Sequence, residues 1–251
     1  MMTGRNFALG LGLMALIGFA FAALIATRQP VSAQTARSIS DSERAEIEAI
    51  VRDYILENPE IIPEAINNLQ RREVARMIDS NRDEIQTPFE GAWAGNPDGD
   101  VILVEFFDYN CPYCRKGNDD VQRLLKEDEN LKVVWRDFPV LGPESRRAAM
   151  ASLSAAKQGK YRRFHDRMFS DPRRLDQDKL FEVIRGAGLN EVTTAGDLKR
   201  DALDKEIDAN LSLGRALGIG GTPAYVIGDR ILEGAVGYHA MKEAIDAARK
   251  G

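Results

Sequence analysis

Cys111 and Cys114 are the only cysteines of the 251-residue chain, and they close the run Val101–Cys114, VILVEFFDYNCPYC. Thiols two residues apart can close a small disulfide, supply half of a metal site, or be inert. Two cysteines are too few to staple a fold, which favours a reactive pair. A purely structural bond between them would close a very small loop and gain little stability. Glu105 is the other residue of chemical interest, a single charge inside an apolar run and costly to bury without a partner or a role. His165 and His239 are the only histidines. With the two thiols they would make four zinc ligands on paper, but the wide spacing between the halves departs from zinc-finger patterns. Capping or hydrogen bonding suits each histidine better than catalysis, and Trp93 and Trp135 read as packing residues.

The elements that must position the cysteines follow from patterning. Val101–Phe107 predicts a mostly buried strand, and Cys111-Pro112-Tyr113-Cys114 opens a helix running to about Lys126. Pro112 suits its first position, where a missing N–H costs nothing. Cys111 then meets unpaired backbone N–H groups and the positive end of the helix dipole, which favour the attacking thiolate form. Cys114 lies one turn deeper. Leu131–Phe138 predicts a second strand, completing a βαβ unit. Residues from Glu144 to about Leu217 predict helices throughout. After the loop Gly218–Thr222 come two short strands, Pro223–Ile227 and Arg230–Glu233, joined by the hairpin signal Gly228-Asp229. A helix from Tyr238 to Arg249 ends the pattern.

Upstream, Gly91–Asp100 (GAWAGNPDGD) reads as a loop or domain boundary. Ile47, Ile50, Val51, Tyr54 and Ile55 form one face of a helix that Ser40 or Asp41 could cap and Asn58-Pro59 should end. A second, densely charged helix is expected over roughly Pro63–Ile85. Residues 41–90 hold too few apolar side chains for a core of their own, so their stripe needs cover from the main domain or from another subunit. Spacing does not choose between the two.

Composition is that of an ordinary globular protein, 44% hydrophobic and 29% charged, with a net charge of −5 and no long basic run. That balance argues against nucleic acid as the main partner. Residues 1–33 stand apart: Arg5 precedes the uncharged run Phe7–Ala26, and Val31-Ser32-Ala33 offers a signal-peptidase site before Gln34. An uncleaved membrane anchor is the alternative, since about twenty apolar residues can span a bilayer. Either way the remainder is exported; after cleavage it carries 32 basic and 39 acidic residues, a charge of −7. In an oxidising compartment the redox poise of a C-x-x-C pair becomes its natural function.

The chain resembles the DsbA family of exported thiol–disulfide oxidoreductases. The resemblance rests on Glu105-Phe106-Phe107 leading to Cys111-Pro112-Tyr113-Cys114, on Gly221-Thr222-Pro223-Ala224, and on the helices between, and it covers roughly Gly95–Gly251. Residues 41–90, with Asn58-Pro59-Glu60 and Glu64-Ala65, further resemble the amino-terminal extension of the ScsC-like branch. The implied architecture is an α/β thioredoxin-like fold with a helical insertion at about 144–217, in a catalytic domain over 91–251. It is preceded by a helical extension over 34–90 that would serve oligomerisation.

By the same resemblance Pro223 is a cis-proline facing the cysteines, and the backbone of Thr222 pairs with an extended substrate. Glu105 matches the buried acid that takes the proton of the resolving Cys114. Pro112 and Tyr113 form the dipeptide that tunes redox potential. No cofactor and no metal are implied. Pro-Tyr and Thr-Pro depart from the oxidase type, which has Pro-His and Val-Pro, and lean toward reductase and isomerase members. Relatives with this extension assemble trimers. The reading is a periplasmic, isomerase-leaning oxidoreductase and homo-oligomer, a trimer by analogy, acting on unfolded or misoxidised exported proteins. A membrane reductase of the DsbD or ScsB kind would keep it reduced. A DsbA-like oxidase is the close alternative. A thiol copper(I) binder is another, since soft thiolates suit that ion and ScsC-like proteins are linked to copper tolerance. A third makes 41–90 the functional part and the cysteines incidental.

Overall fold

The structure is a computed structural model that describes residues 39–250. The leader expected over 1–33 and its cleavage site lie outside the described residues. The chain divides into two compact units between Ile61 and Ile62.

In the first unit the described element is α1, Asp41–Glu57. Ser40 caps it through a reciprocal box, its hydroxyl accepting from the Glu43 N–H while the Glu43 carboxylate accepts from the Ser40 N–H. Two orphan donors of the first turn are thereby satisfied. Asn58 ends the helix by donating from its amide side chain to Tyr54 O. Ile47, Ile50, Val51 and Tyr54 are all about half exposed or more.

In the second unit α2 (Ile61–Ser80) and α3 (Arg82–Gln86) replace the single helix expected over Pro63–Ile85. The break falls at Asn81, whose side chain donates to Met77 O at 2.7 Å and takes the place of a continuing turn. The chain meets the sheet on both sides of the break: Ile78 before it and Ile85 after it are buried, with Val74 and Met77 packed beside them. The apolar stripe of 41–90 is therefore split: its carboxyl-terminal part is covered by the main body, and Ile62, Ile66 and Leu69 stay exposed.

The sheet has five strands in the order β1-β3-β2-β4-β5. They are β1 (Trp93–Gly95), β2 (Val101–Phe107), β3 (Leu131–Asp137), β4 (Ala224–Ile227) and β5 (Arg230–Glu233). β1 lies inside the stretch expected to be loop and pairs antiparallel with β3. It is three residues long and ends at Gly95, whose φ of +90° and contact with Leu131 O admit no side chain. β2 and β3 run parallel, joined through α4 (Pro112–Glu127). β2 is covered on both faces, which explains its nearly unbroken apolar sequence. Leu103 and Phe107 face a core built with α4, α5 (Pro143–Lys157), α6 (Tyr161–Ser170) and the closing helix α10 (Tyr238–Ala248). Val104 and Phe106 face the opposite way, toward Ile78, Ile85 and the end of α9 (Asp201–Ala216). The insertion is completed by α7 (Gln177–Gly186) and α8 (Glu191–Asp197).

Arg136 on β3 fixes the entry of the extension. Its side chain is 6% exposed, and its guanidinium donates to the carbonyls of Glu84, Ile85 and Thr87 and to Asn210 Oδ1 at 3.0 Å. Glu206 stands 3.7 Å away as the counter-ion. Arg136→Met would leave these acceptors without their donor and should lower stability by about 2–4 kcal/mol. Equilibrium urea unfolding would show it as a lower midpoint.

Candidate functional site

The site forms where β2 ends. Asp108, Tyr109 and Asn110 make the turn into α4, and the Cys111 N–H donates to Asp108 O at 3.0 Å. Cys111 is the N-cap of α4, with extended backbone at φ −85°, ψ 118°, and Pro112 follows as the first helical residue. Both cysteines are free thiols. The Cys111 thiol donates to Thr222 O at 3.3 Å, and the Thr222–Pro223 peptide bond is cis. Two segments more than a hundred residues apart therefore meet at one sulfur. Pro112 and Tyr113 lie exposed beside it, Tyr113 at 64%.

The two sulfurs have opposite environments. Cys111 is pulled down to about 5, first by the neighbouring Cys114 thiol and then, against its own burial, by the Thr222 side chain and the N–H groups of Cys114 and Tyr113. These are donors aimed at a forming negative charge, the arrangement a helix start supplies. Cys114 is pushed far upward, first by burial, then by its hydrogen bond to Cys111 and by the nearby Glu105 carboxyl. Opposing this, the Asp108 N–H donates to Cys114 Sγ at 3.5 Å.

Glu105 is fully buried. Its neighbours are set by sheet register: Trp135 of β3 and Tyr225 of β4 are its cross-strand partners, so the three side chains lie in one row on the α4 face. The Trp135 indole donates to Glu105 Oε2 at 3.1 Å, a polar contact that reading Trp135 as packing missed. Glu105 Oε1 and the Tyr225 hydroxyl have no hydrogen-bond partner among the described residues. Burial, against the Trp135 hydrogen bond and with the Cys111 charge adding to it, raises the Glu105 carboxyl to about 8. Gly117, one turn beyond Cys114, leaves room for this row, since a Cβ there would lie 2.1 Å from the Tyr225 hydroxyl. A glycine inside a helix pattern was the available signal of such a close approach.

Behind the turn His165 is fully buried among Phe107, Tyr109, Trp135, Tyr161 and Phe169. Its Nδ1 is 3.1 Å from the Tyr109 hydroxyl. Burial, helped by the Arg162 charge, holds the ring neutral. His239 is exposed on α10. Neither histidine joins the thiols, and among the described residues no group of three or more His, Cys, Asp or Glu side chains could hold a metal ion.

A thioredoxin-like sheet, a buried acid and an asymmetric dithiol facing a cis-proline define a class of redox-active domains. The DSBA-like thioredoxin domain family matches residues 102–246, more than half of the chain, and the chain belongs to that family. Residues 43–76 match the copper resistance protein ScsC N-terminal domain. Among solved structures, a thioredoxin-like oxidoreductase from Silicibacter pomeroyi is 37% identical with a TM-score of 0.66, covering 68% of this chain and 99% of that one. A linker-deletion mutant of Proteus mirabilis ScsC is 30% identical with a TM-score of 0.65, covering 85% and 98%. Disulfide bond formation protein D of Bacillus subtilis is 24% identical over 169 residues, 62% of this chain and 76% of that protein. The chain also matches Na(+)/H(+) antiporters, for example NhaA 3 of Salinispora tropica, 27% identical over 182 residues, and spans about a quarter of their length.

Two pH effects follow. Alkylation of Cys111 by iodoacetamide should be half-maximal near pH 5 instead of near 9, with Cys114 unreactive until the protein is denatured. Because the folded value is depressed, the stabilisation Cys111 gives the reduced protein is fully present above about 9 and is lost as pH falls through about 5. Glu105 has the opposite sign: its stabilising protonation is fully present below about 4.5 and is lost as pH rises through about 8. The stability of Glu105→Gln relative to the parent should therefore rise between those values and level above them, as measured by urea unfolding of the reduced proteins.

Proposed function

We propose that this chain is a periplasmic thiol–disulfide oxidoreductase that reshuffles wrong disulfides in exported proteins. The observation that carries the reading is the polarity of the pair: a thiolate-favouring Cys111 beside the cis Thr222–Pro223 bond, backed by a buried Cys114 and Glu105. Cys111 thiolate attacks a substrate disulfide, forming a bond to one substrate sulfur and releasing the other as thiolate. In isomerisation the released substrate thiolate attacks elsewhere, and a later substrate thiolate displaces Cys111. Alternatively, with the Cys111 charge gone in the mixed disulfide, Glu105 ionises more readily and its carboxylate takes the Cys114 proton as Cys114 attacks Cys111 Sγ. The Cys111–Cys114 bond forms, and the electron pair of the broken mixed disulfide leaves on the substrate sulfur. That exit leaves the pair oxidised, so a membrane reductase of the DsbD or ScsB kind would restore the thiols. Thr222 offers backbone to an extended substrate segment, and Pro112 and Tyr113 tune the pair.

The leaning toward isomerisation is supported by the extension. Its match to the ScsC N-terminal domain and the exposed stripe Ile47, Ile50, Val51 and Tyr54 suit self-association, in threes by analogy with ScsC-like relatives. Several sites around one substrate favour repeated shuffling over single oxidation. Export through the leader at 1–33 gives the periplasmic setting. Among the described residues no helix is long and apolar enough to cross a membrane.

Cys114→Ser mixed with a disulfide-bonded protein should accumulate a mixed disulfide at Cys111. No adduct, together with tight copper(I) binding by the intact pair, would instead make the chain a metal-binding protein. Ile50→Glu with Tyr54→Glu should yield monomers that still reduce insulin but refold a scrambled disulfide substrate several-fold more slowly. Unchanged isomerase activity in a proven monomer would leave the extension without that role.

A further inference from the structure

Asp108 is buried, at 2% exposure, between the two cysteines and a separate loop. Its main chain touches both sulfur-bearing residues: the carbonyl accepts from the Cys111 N–H, and the N–H donates to Cys114 Sγ. Its carboxylate is fully engaged elsewhere. Oδ1 accepts from the Asn110 N–H at 2.8 Å, closing an Asx-type turn. Oδ2 accepts from the N–H groups of Val140 and Leu141, each at 3.0 Å, in the loop between β3 and α5. Three backbone donors thus fix the side chain of the one residue whose amide reaches the buried sulfur.

We infer that Asp108 is a positioning residue for the second step of exchange, its carboxylate holding its own N–H on Cys114 Sγ as that sulfur becomes the attacking thiolate. The inference rests on the exchange reading given above. Cys114 must ionise in a buried place next to a carboxyl, where charge is disfavoured. A backbone donor already in position needs no reorganisation when the charge appears. The step it assists is balanced. The Cys114 proton passes to the ionised Glu105 carboxylate, Cys114 forms a bond to Cys111 Sγ, and the Cys111–substrate bond breaks. The electron pair leaves on the substrate thiolate, which takes its proton from solvent. The donors that favour the Cys111 charge are the Cys114 thiol, Thr222 and the N–H groups of Cys114 and Tyr113, and the Asp108 N–H is not among them.

The two steps can be timed separately in the full-length protein. A mixed disulfide between Cys111 and a fluorescent peptide thiol is formed, and its release by Cys114 is followed alongside iodoacetamide trapping of Cys111 as a function of pH. Asp108→Ala should slow release about five- to tenfold, the scale of one ordinary hydrogen bond, since the N–H is loosened and not removed, while the Cys111 alkylation profile stays in place. Asp108→Asn keeps one acceptor oxygen, enough for the Asx turn or for the loop donors but not for both, and should restore part of the rate. Release at the parental rate in both variants overturns the inference. So does a parallel loss of release and alkylation, or an Asp108→Asn variant that folds as the parent but releases no faster than Asp108→Ala. A parent protein that forms no mixed disulfide overturns the exchange reading, and this inference with it.

Discussion

The register of β2 between β3 and β4 is the constraint on which the site depends. It places Trp135, Glu105 and Tyr225 in one row beneath α4, with a carboxyl in the centre that no bulk water reaches. A slip of one residue would carry Glu105 to the opposite face, where Ile78, Ile85 and Leu213 offer no donor. It would also point Val104 and Phe106 at the helix that bears the cysteines. The hydrophobic pattern that sets the core therefore also sets the acid under the dithiol.

On that base the helix start separates the roles of two chemically identical residues. Cys111 stands before the first turn, where N–H groups are unspent, and Cys114 stands one turn in, where burial dominates. Sequence distance is small and electrostatic distance is large. The loop carrying Thr222 and Pro223 arrives from the far end of the helical insertion and completes the environment of the outer sulfur only.

Much of this was legible from residue order. The alternation of strand and helix signals, Pro112 after Cys111, and Gly228-Asp229 between short apolar runs each report a local preference, and each element formed close to where that preference put it. The family likeness supplied Thr222 and Pro223, which no local rule links to the cysteines. What stayed hidden depends on contacts distant in sequence. β1 is too short to show a period and exists because β3 offers it an edge. The break at Asn81 answers to a sheet face that appears later in the chain. Trp135 looked like core because its indole N–H finds Glu105 only through a pairing across thirty residues. Asp108 carried no signal of its own, because its bonds to Val140 and Leu141 follow from where the β3–α5 loop returns.

The neutral His165 has a further consequence. Imidazole is the side chain that ordinarily gives a protein its response near physiological pH, and here the one beside the redox pair is withdrawn from that task by burial in an aromatic box. A sulfur ionises on the acid side and a carboxyl on the alkaline side of the neutral range. Glu105 therefore keeps its proton while Cys111 is charged and gives it up more readily once Cys111 is bound to substrate and that charge is gone. In the proposed exchange this readies the carboxylate to take the Cys114 proton at the stage that needs it.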